Sequence, residues 1–203
     1  MRNAWERNTQ LAGIAAGACF LAALAGFGMA LDGYSQVRHP VALLGASGVP
    51  HALAFNLLGF VLPGLLAAGV AMRLRRDLPH DAGWPARIGA RLVLLSALAF
   101  AAQGLLPLDP GDLDGAASQW HATAWMLWWI AFVPGAGLLA AGLIRVQDWR
   151  TVARTSAVAA GLVLVFAMLV PGAVATGVAQ RIAFVAWFGW LLSCGCARRT
   201  LAE

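Results

Sequence analysis

The chain contains, at residues 50–76, the stretch PHALAFNLLGFVLPGLLAAGVAMRLRR. An α-helix rises about 1.5 Å per residue, so roughly 20 apolar residues are needed to cross about 30 Å of hydrocarbon. The apolar part of this stretch has that length, and a cluster of arginines follows where such a helix would leave the membrane. The stretch therefore predicts a membrane-spanning helix over residues 50–72 with a cationic end.

Apolar runs of this kind recur along the whole chain of 203 residues. The runs are continuous and do not alternate with period two, which excludes the strands of a membrane β-barrel. The sequence therefore predicts an all-α integral membrane bundle, folded as one transmembrane domain over residues 1–203. The six predicted helices cover residues 11–31, 50–72, 88–108, 121–144, 155–175 and 182–197.

The composition agrees with this assignment. The chain is 61% hydrophobic and only 11% charged, whereas soluble domains carry about 25% charged residues. This excludes a soluble enzyme, a disordered protein and a collagen-like chain. The first apolar run has no short core followed by a cleavage site, so we expect a retained helix and not a signal peptide. We interpret Cys194 and Cys196, a CxC near the end of helix 6, as inert thiols.

The basic residues are all arginines, 14 in number, and they are distributed asymmetrically. They lie between helices 2 and 3, between helices 4 and 5, and near both termini; only Arg38 and Arg181 fall on the other side. The positive-inside rule then predicts a bacterial inner-membrane protein with both termini in the cytoplasm. The outer face would carry residues 32–49, residues 109–120 and a short turn at residues 176–181. Because the arginines fit topology, no nucleic-acid partner is expected.

A weak internal similarity links helices 2 and 4. One begins HALAF at residue 51, the other begins HATAW at residue 121, and both continue to Pro-Gly and then to an arginine. This pattern suggests a parallel repeat of helices 2–3 and 4–5, which would place His51 and His121 at equivalent positions. The alternative is a chance match in a chain rich in Ala, Leu and Gly.

Polar residues are concentrated in the outer half of the predicted bundle. Polar groups within lipid are costly and usually face the bundle interior or a wet cavity, so we expect a cavity open to the outer side. Its candidate catalytic residues are His51, Asp109 and His121, a set suited to general acid/base chemistry or to a His₂-carboxylate metal site. The alternative is that they are solvated helix ends, with Ser47 capping helix 2.

Further polar residues are candidates for ligand binding. Asn56 and Gln103 lie deeper and are predicted either to hydrogen-bond each other or to line the cavity floor. Arg38 is predicted to bind a phosphate group or to pair with an acidic residue, in a loop that folds over the cavity mouth. The candidate ligand-binding residues are Tyr34, Arg38, His39, Ser47, Asn56, Gln103 and Arg181.

Several short motifs carry a family resemblance. Residues 32–50 contain DGYSQVRHP and LGASGVP, and residues 106–109 read LPLD before His121. The chain resembles an uncharacterised bacterial six-helix membrane family, domain of unknown function 998, which is distantly similar to FRAG/DRAM/SFK-type membrane proteins. The aromatic that usually precedes the proline is Leu106 here. The resemblance implies six helices and an outer polar site, and it implies no activity.

A looser similarity is to the hydrolase superfamily of alkaline ceramidases and progestin/adipoQ-type receptors. Ser47, His51 and Asp109 fit its pattern in kind. Its His-x-x-x-His motif fails, because Trp125 stands four residues after His121. The zinc site of that superfamily is therefore not expected here.

The sequence thus predicts a multi-pass membrane protein whose outward-facing cavity binds a lipid or other amphiphile, with membrane lipid as its partner. The alternative is an intramembrane enzyme that modifies lipid headgroups by His/Asp acid–base or metal chemistry. A third possibility is a structural protein without a small ligand. The pattern specifies no cofactor, no particular metal or haem, and no oligomeric state.

Overall fold

The computed structural model describes the backbone of residues 2–169 and 174–196, and the side chains of residues 9–169 and 174–194. In this part of the chain, six helices are long and apolar enough to cross a membrane, which confirms the predicted all-α membrane bundle. The helices are α1 Arg2–Ala30, α2 Ala52–Asp77, α3 Trp84–Leu105, α4 Ala116–Leu143, α5 Gln147–Leu169 and α6 Thr176–Cys196.

Several helices begin at other residues than the sequence predicted. Helix α3 begins at Trp84, upstream of residue 88, because Pro85 fits the first turn of a helix, where no backbone donor is needed. Helix α4 begins at Ala116, five residues before His121. Helix α2 begins only at Ala52, and Ser47 is exposed and gives no cap to it. The predicted Ser47 cap is therefore wrong.

Helix α2 contains a π-helical turn at Asn56–Val61, directly before Pro63. In this turn the Leu62 N–H donates to the Leu57 carbonyl, five residues back. Proline has no backbone donor and disturbs the regular hydrogen-bond pattern, and within a bilayer the freed carbonyls need other partners. The π turn is such a local adjustment. A second π turn, Val165–Leu169, ends the described part of α5, and its predicted continuation over 170–173 lies outside the described residues.

The helices form a closed ring, in which each packs on its neighbours in sequence and α6 returns to α1. Glycines allow the closest approaches within this ring. A Cβ atom added at Gly89 of α3 would lie 2.5 Å from the Gly135 carbonyl oxygen of α4, and one added at Gly64 of α2 would lie 2.6 Å from the Ala101 nitrogen of α3. The backbones of α2, α3 and α4 are therefore nearly in contact, as small residues permit in membrane bundles.

Aromatic rings fill the interior of the ring of helices. Phe100 of α3 is fully buried and lies at their centre. It stacks on Trp187 of α6 at 4.7 Å between ring centroids and contacts Phe60 of α2 at 5.4 Å and Phe184 of α6 at 5.3 Å. Such ring pairs contribute beyond the apolar area they bury. This aromatic core joins α2, α3 and α6 beneath the site described below.

The glycine contacts give a matched pair of variants. Gly89→Ala places a methyl group against the α4 backbone, so we expect it to lower the free energy of unfolding by about 1–3 kcal/mol. Gly137→Ala, on α4, meets no atom within 4 Å and should be neutral or slightly stabilising, because alanine favours helix. Thermal unfolding in mild detergent measures both. Equal melting temperatures for the two variants would contradict the close α3–α4 approach.

Candidate ligand cavity under the long loop

Residues 31–51, the long loop, connect α1 to α2 at the end of the bundle where α3 ends and α4 begins. We name this the loop end; Arg73, Arg75 and Arg76, in the last turns of α2, lie at the opposite end. The long loop carries a short 3₁₀ turn at Val41–Gly45, and several of its residues are buried. It is therefore packed as part of the bundle and is not a free connector.

Three helices and the segment after α3 hydrogen-bond the long loop. The Asn56 side-chain amide of α2 donates to the Gly45 carbonyl at 2.8 Å, and the Gln180 side-chain oxygen Oε1 of α6 accepts the Val41 N–H at 3.0 Å. Gln36 in turn donates to the Leu24 carbonyl of α1 at 3.1 Å. The Ser47 N–H donates to the carbonyl of Leu108, just after α3, at 2.8 Å. These bonds fix the loop against the bundle, because their donors and acceptors would otherwise be buried unpaired.

Arg181 of α6 makes the densest set of contacts at the loop end. Its Nε and Nη2 donate to the Gln36 side-chain oxygen at 2.9 and 2.6 Å, and Nη2 also donates to the Tyr34 hydroxyl at 2.7 Å. Its Nη1 donates to the His39 and Gly177 carbonyls at 3.1 and 2.7 Å. A guanidinium has five N–H donors, so this side chain is fully used. Every acceptor is a neutral oxygen.

Tyr34 and His39 complete this network. The Tyr34 hydroxyl accepts from Arg181 and donates to the Pro40 carbonyl at 3.2 Å. Burial raises the pKa of the Tyr34 phenol above its ordinary value, although the Arg181 charge and hydrogen bond act against the rise. The phenol therefore keeps its proton at neutral pH and remains a donor. His39 Nδ1 accepts the Ser35 N–H at 3.0 Å, which stabilises the turn between them.

Arg38 does not form the ion pair that the sequence predicted as one of its two roles. It is exposed and pairs with neither Asp32 nor Asp109 in the described structure, and only its backbone N–H is engaged, with the Ser35 hydroxyl at 3.3 Å. The expected salt bridge is therefore wrong within the described residues: Arg38 is exposed, and Arg181 is the arginine that contacts the loop. Binding of a phosphate group by Arg38 stays a prediction.

A cavity of about 200 Å³ lies under the long loop. For comparison, an engineered apolar cavity of about 150 Å³ in another protein binds benzene. The polar side chains in its wall are Gln103, His121 and Gln180, and its lining contains no charged side chain. The remaining wall is mainly apolar and comes from the loop, from α2, α4 and α6, and from the segment between α3 and α4: Pro40, Val41, Ala42, Phe60, Leu108, Ala122, Trp125 and Phe184.

His121 is buried in this wall, with 7% of its surface exposed. Its Nδ1 lies 2.8 Å from the Leu106 carbonyl oxygen, at the end of α3. A carbonyl can only accept, so Nδ1 carries the proton, and in the neutral ring Nε2 is left as an acceptor. The ring thereby satisfies one of the carbonyls that a helix end leaves open. It also fixes the start of α4 against the end of α3.

Gln103 is only 1% exposed, and its Nε2 has no hydrogen-bond partner within the described residues. The predicted Asn56–Gln103 bond is wrong, because the Asn56 amide is used by the Gly45 carbonyl of the long loop. Three other buried atoms also lack a partner in this part of the chain, Ser96 Oγ, Trp128 Nε1 and Trp187 Nε1, but none of these residues lines the cavity. Gln103, which lines the cavity, therefore holds an amide nitrogen without a hydrogen-bond partner among the described residues.

The other two candidate catalytic residues lie elsewhere at the loop end. His51 is exposed, just before α2, with a left-handed φ of 62°. Asp109 is half-buried; its carboxylate accepts the Gly111 N–H at 2.9 Å, and its backbone N–H donates to the Ser118 hydroxyl at 3.1 Å. Neither His51 nor Asp109 lines the cavity. Among the described residues, no three His, Cys, Asp or Glu side chains are grouped closely enough to hold a metal ion.

Sequence reasoning did not select Gln180, Trp125 or Phe60 as site residues. Gln180 was recognisable as polar and near the outer boundary, and it directly precedes Arg181. No sequence pattern distinguished Trp125 and Phe60 from the other aromatic residues, because buried rings are common throughout this chain. Only the folded long loop shows that these side chains share one wall.

The six apolar helices, closed around a buried aromatic core, define a multi-pass helical membrane protein. Over residues 10–197 the chain matches the family described as Protein of unknown function (DUF998), and it belongs to this family. This confirms the resemblance seen in its short motifs. No curated protein and no solved structure matches the chain.

The two arginines of the loop end can be compared directly. Arg181→Met removes five hydrogen bonds and leaves half-buried acceptors unpaired, so we expect it to lower the free energy of unfolding by roughly 2–4 kcal/mol. Arg38→Met changes an exposed side chain and should shift stability by less than about 0.5 kcal/mol. Thermal unfolding of both variants in the same detergent measures the difference. If the Arg38 variant were destabilised and the Arg181 variant unchanged, Arg38 and not Arg181 would be the arginine that stabilises the loop end, which would contradict the prediction.

Proposed function

We propose that this protein resides in the bacterial inner membrane and binds a lipid or other amphiphile in an outward-facing cavity under the long loop. The observation that carries the proposal is the composition of the cavity wall: it is apolar except for a few buried polar side chains, one of which, Gln103, has an unsatisfied amide. Ligand sites typically combine an apolar wall with a few polar groups that orient the ligand.

The orientation rests on the arginines. The last turns of α2 carry Arg73, Arg75 and Arg76, and the segment between α4 and α5 carries Arg145. Cytoplasmic loops of inner-membrane proteins are enriched in basic residues, so we propose that both termini and these segments are cytoplasmic. The loop end, and with it the cavity, then faces the periplasm.

The alternative is an intramembrane enzyme acting on lipid headgroups with His51, Asp109 and His121. Acid–base or metal chemistry requires its groups within hydrogen-bond reach of one substrate. His121 lines the cavity, whereas His51 is exposed just before α2. The Asp109 carboxylate accepts a hydrogen bond within the turn that precedes α4. This distribution favours binding over catalysis, so we propose the binding function.

Filling the cavity tests the proposed binding. Ala122 and Ala117 are both exposed alanines of α4, and only Ala122 lines the cavity. We expect Ala122→Phe to remove most of the amphiphile that the parent protein retains through mild purification, because the new ring occupies the space. Ala117→Phe should retain it. Bound lipid is measured by native mass spectrometry. Equal retention by both variants, or none by the parent, would contradict the proposal.

Topology is tested independently with fusions of a reporter that is active only outside the cytoplasm. A fusion at residue 112, between α3 and α4, should be active, and one at residue 80, between α2 and α3, should be silent, because the two segments lie at opposite ends of α3. The reverse pattern would place the cavity on the cytoplasmic side.

A further inference from the structure

Resting on the proposed binding function, we infer that the cavity recognises a neutral hydroxyl group, bound between the Gln103 amide and His121 Nε2. The ligand class is then an uncharged alcohol with an apolar body, such as a long-chain alcohol or a lipid with a free hydroxyl. Charged lipids, whose recognised group would be a carboxylate or a phosphate, are excluded by the same chemistry.

The first step of the argument concerns charge. No side chain in the cavity wall is charged, and the nearby Arg181 has all five donors engaged with neutral oxygens. Moving an anion from water into an apolar cavity without a cationic partner is costly. A neutral polar group needs only hydrogen bonds, and the cavity offers those.

The second step concerns hydrogen-bond polarity. His121 Nδ1 is used by the Leu106 carbonyl, so Nε2 is an acceptor and requires a donor from the ligand. Gln103 Nε2 is a donor without a partner and requires an acceptor. Gln103 and His121 both line the cavity, and the Leu106 carbonyl that holds the His121 ring lies three residues after Gln103, directly after α3.

A hydroxyl satisfies both groups at once, since it donates one hydrogen bond and accepts others. This pairing uses the amide nitrogen of Gln103, because a hydroxyl has one hydrogen to donate and His121 Nε2 accepts it. An ether or ester oxygen only accepts and leaves His121 unsatisfied. Sites that hydrogen-bond a ligand hydroxyl discriminate strongly against analogues that lack it, because their buried polar groups then remain unpaired.

Three probes of similar size separate these possibilities: 1-decanol, 1-methoxynonane and decanoate. Their binding to the full-length protein in nanodiscs is measured by thermal stabilisation and native mass spectrometry at pH 8. We expect decanol to bind about tenfold or more tightly than either the ether or the carboxylate, from the loss of one hydrogen bond or the burial of a charge.

Two variants assign the contacts. His121→Asn keeps a donor near Nδ1 for Leu106 and removes the Nε2 acceptor, so it should bring decanol affinity down to that of the ether and leave the ether unchanged. Gln103→Met, similar in volume, should weaken both decanol and the ether about three- to tenfold. It should not lower the melting temperature of the empty protein, because the replaced amide has no partner, so it remains informative even if His121→Asn fails to fold.

The outcomes are distinct. Equal affinities of decanol and the ether, unchanged by Gln103→Met, would overturn the hydroxyl inference while leaving cavity binding intact. An ordered water that hydrogen-bonds both the Gln103 amide and His121 Nε2 would give this result. Tighter binding of decanoate would overturn it in favour of an anionic ligand. If no probe binds and Ala122→Phe changes nothing, the proposed function itself is contradicted.

Discussion

The guanidinium of Arg181 is held by five hydrogen bonds to neutral oxygens, and most of these oxygens belong to the long loop. A cation near the bilayer is stable only when its donors are satisfied, so the helix and the loop constrain each other. Gln36 and Tyr34 have little freedom once the guanidinium is in place. The path of the long loop, and hence the roof of the cavity, depends on this one side chain.

The cavity follows from the meeting of that roof with the aromatic core. Val41 is drawn to α6 by Gln180, while Phe60 and Phe184 belong to the ring cluster around Phe100. Close glycine contacts hold α2, α3 and α4 together below this level, so space remains only where the loop bridges the helix ends. Gln103 and His121 line that space, and a buried amide without a partner is costly to keep unless a ligand or water completes it.

Much of the architecture was predictable, because spanning a bilayer demands long apolar runs and arginines mark their ends. The first residues of the helices were harder to predict. Residues 116–120 are polar enough to suggest a loop, yet they form the first turn of α4. The site was predicted only in part. Gln103 and His121 were recognisable as polar residues in apolar surroundings, whereas the partner of Asn56 and the contrast between Arg38 and Arg181 depend on contacts across the folded loop, which no local pattern encodes.

Hydrogen–deuterium exchange tests the central claim, that Arg181 fixes the long loop as a roof. The amides of residues 34–46 and those of the exposed turn at residues 110–115 are compared in nanodiscs, in the parent protein and in the Arg181→Met variant. Residues 34–46 should exchange much more slowly than the turn in the parent and approach its rate in the variant, because the loop loses its anchor. Equally fast exchange of both segments in the parent protein, or full protection of residues 34–46 in the variant, would contradict the account.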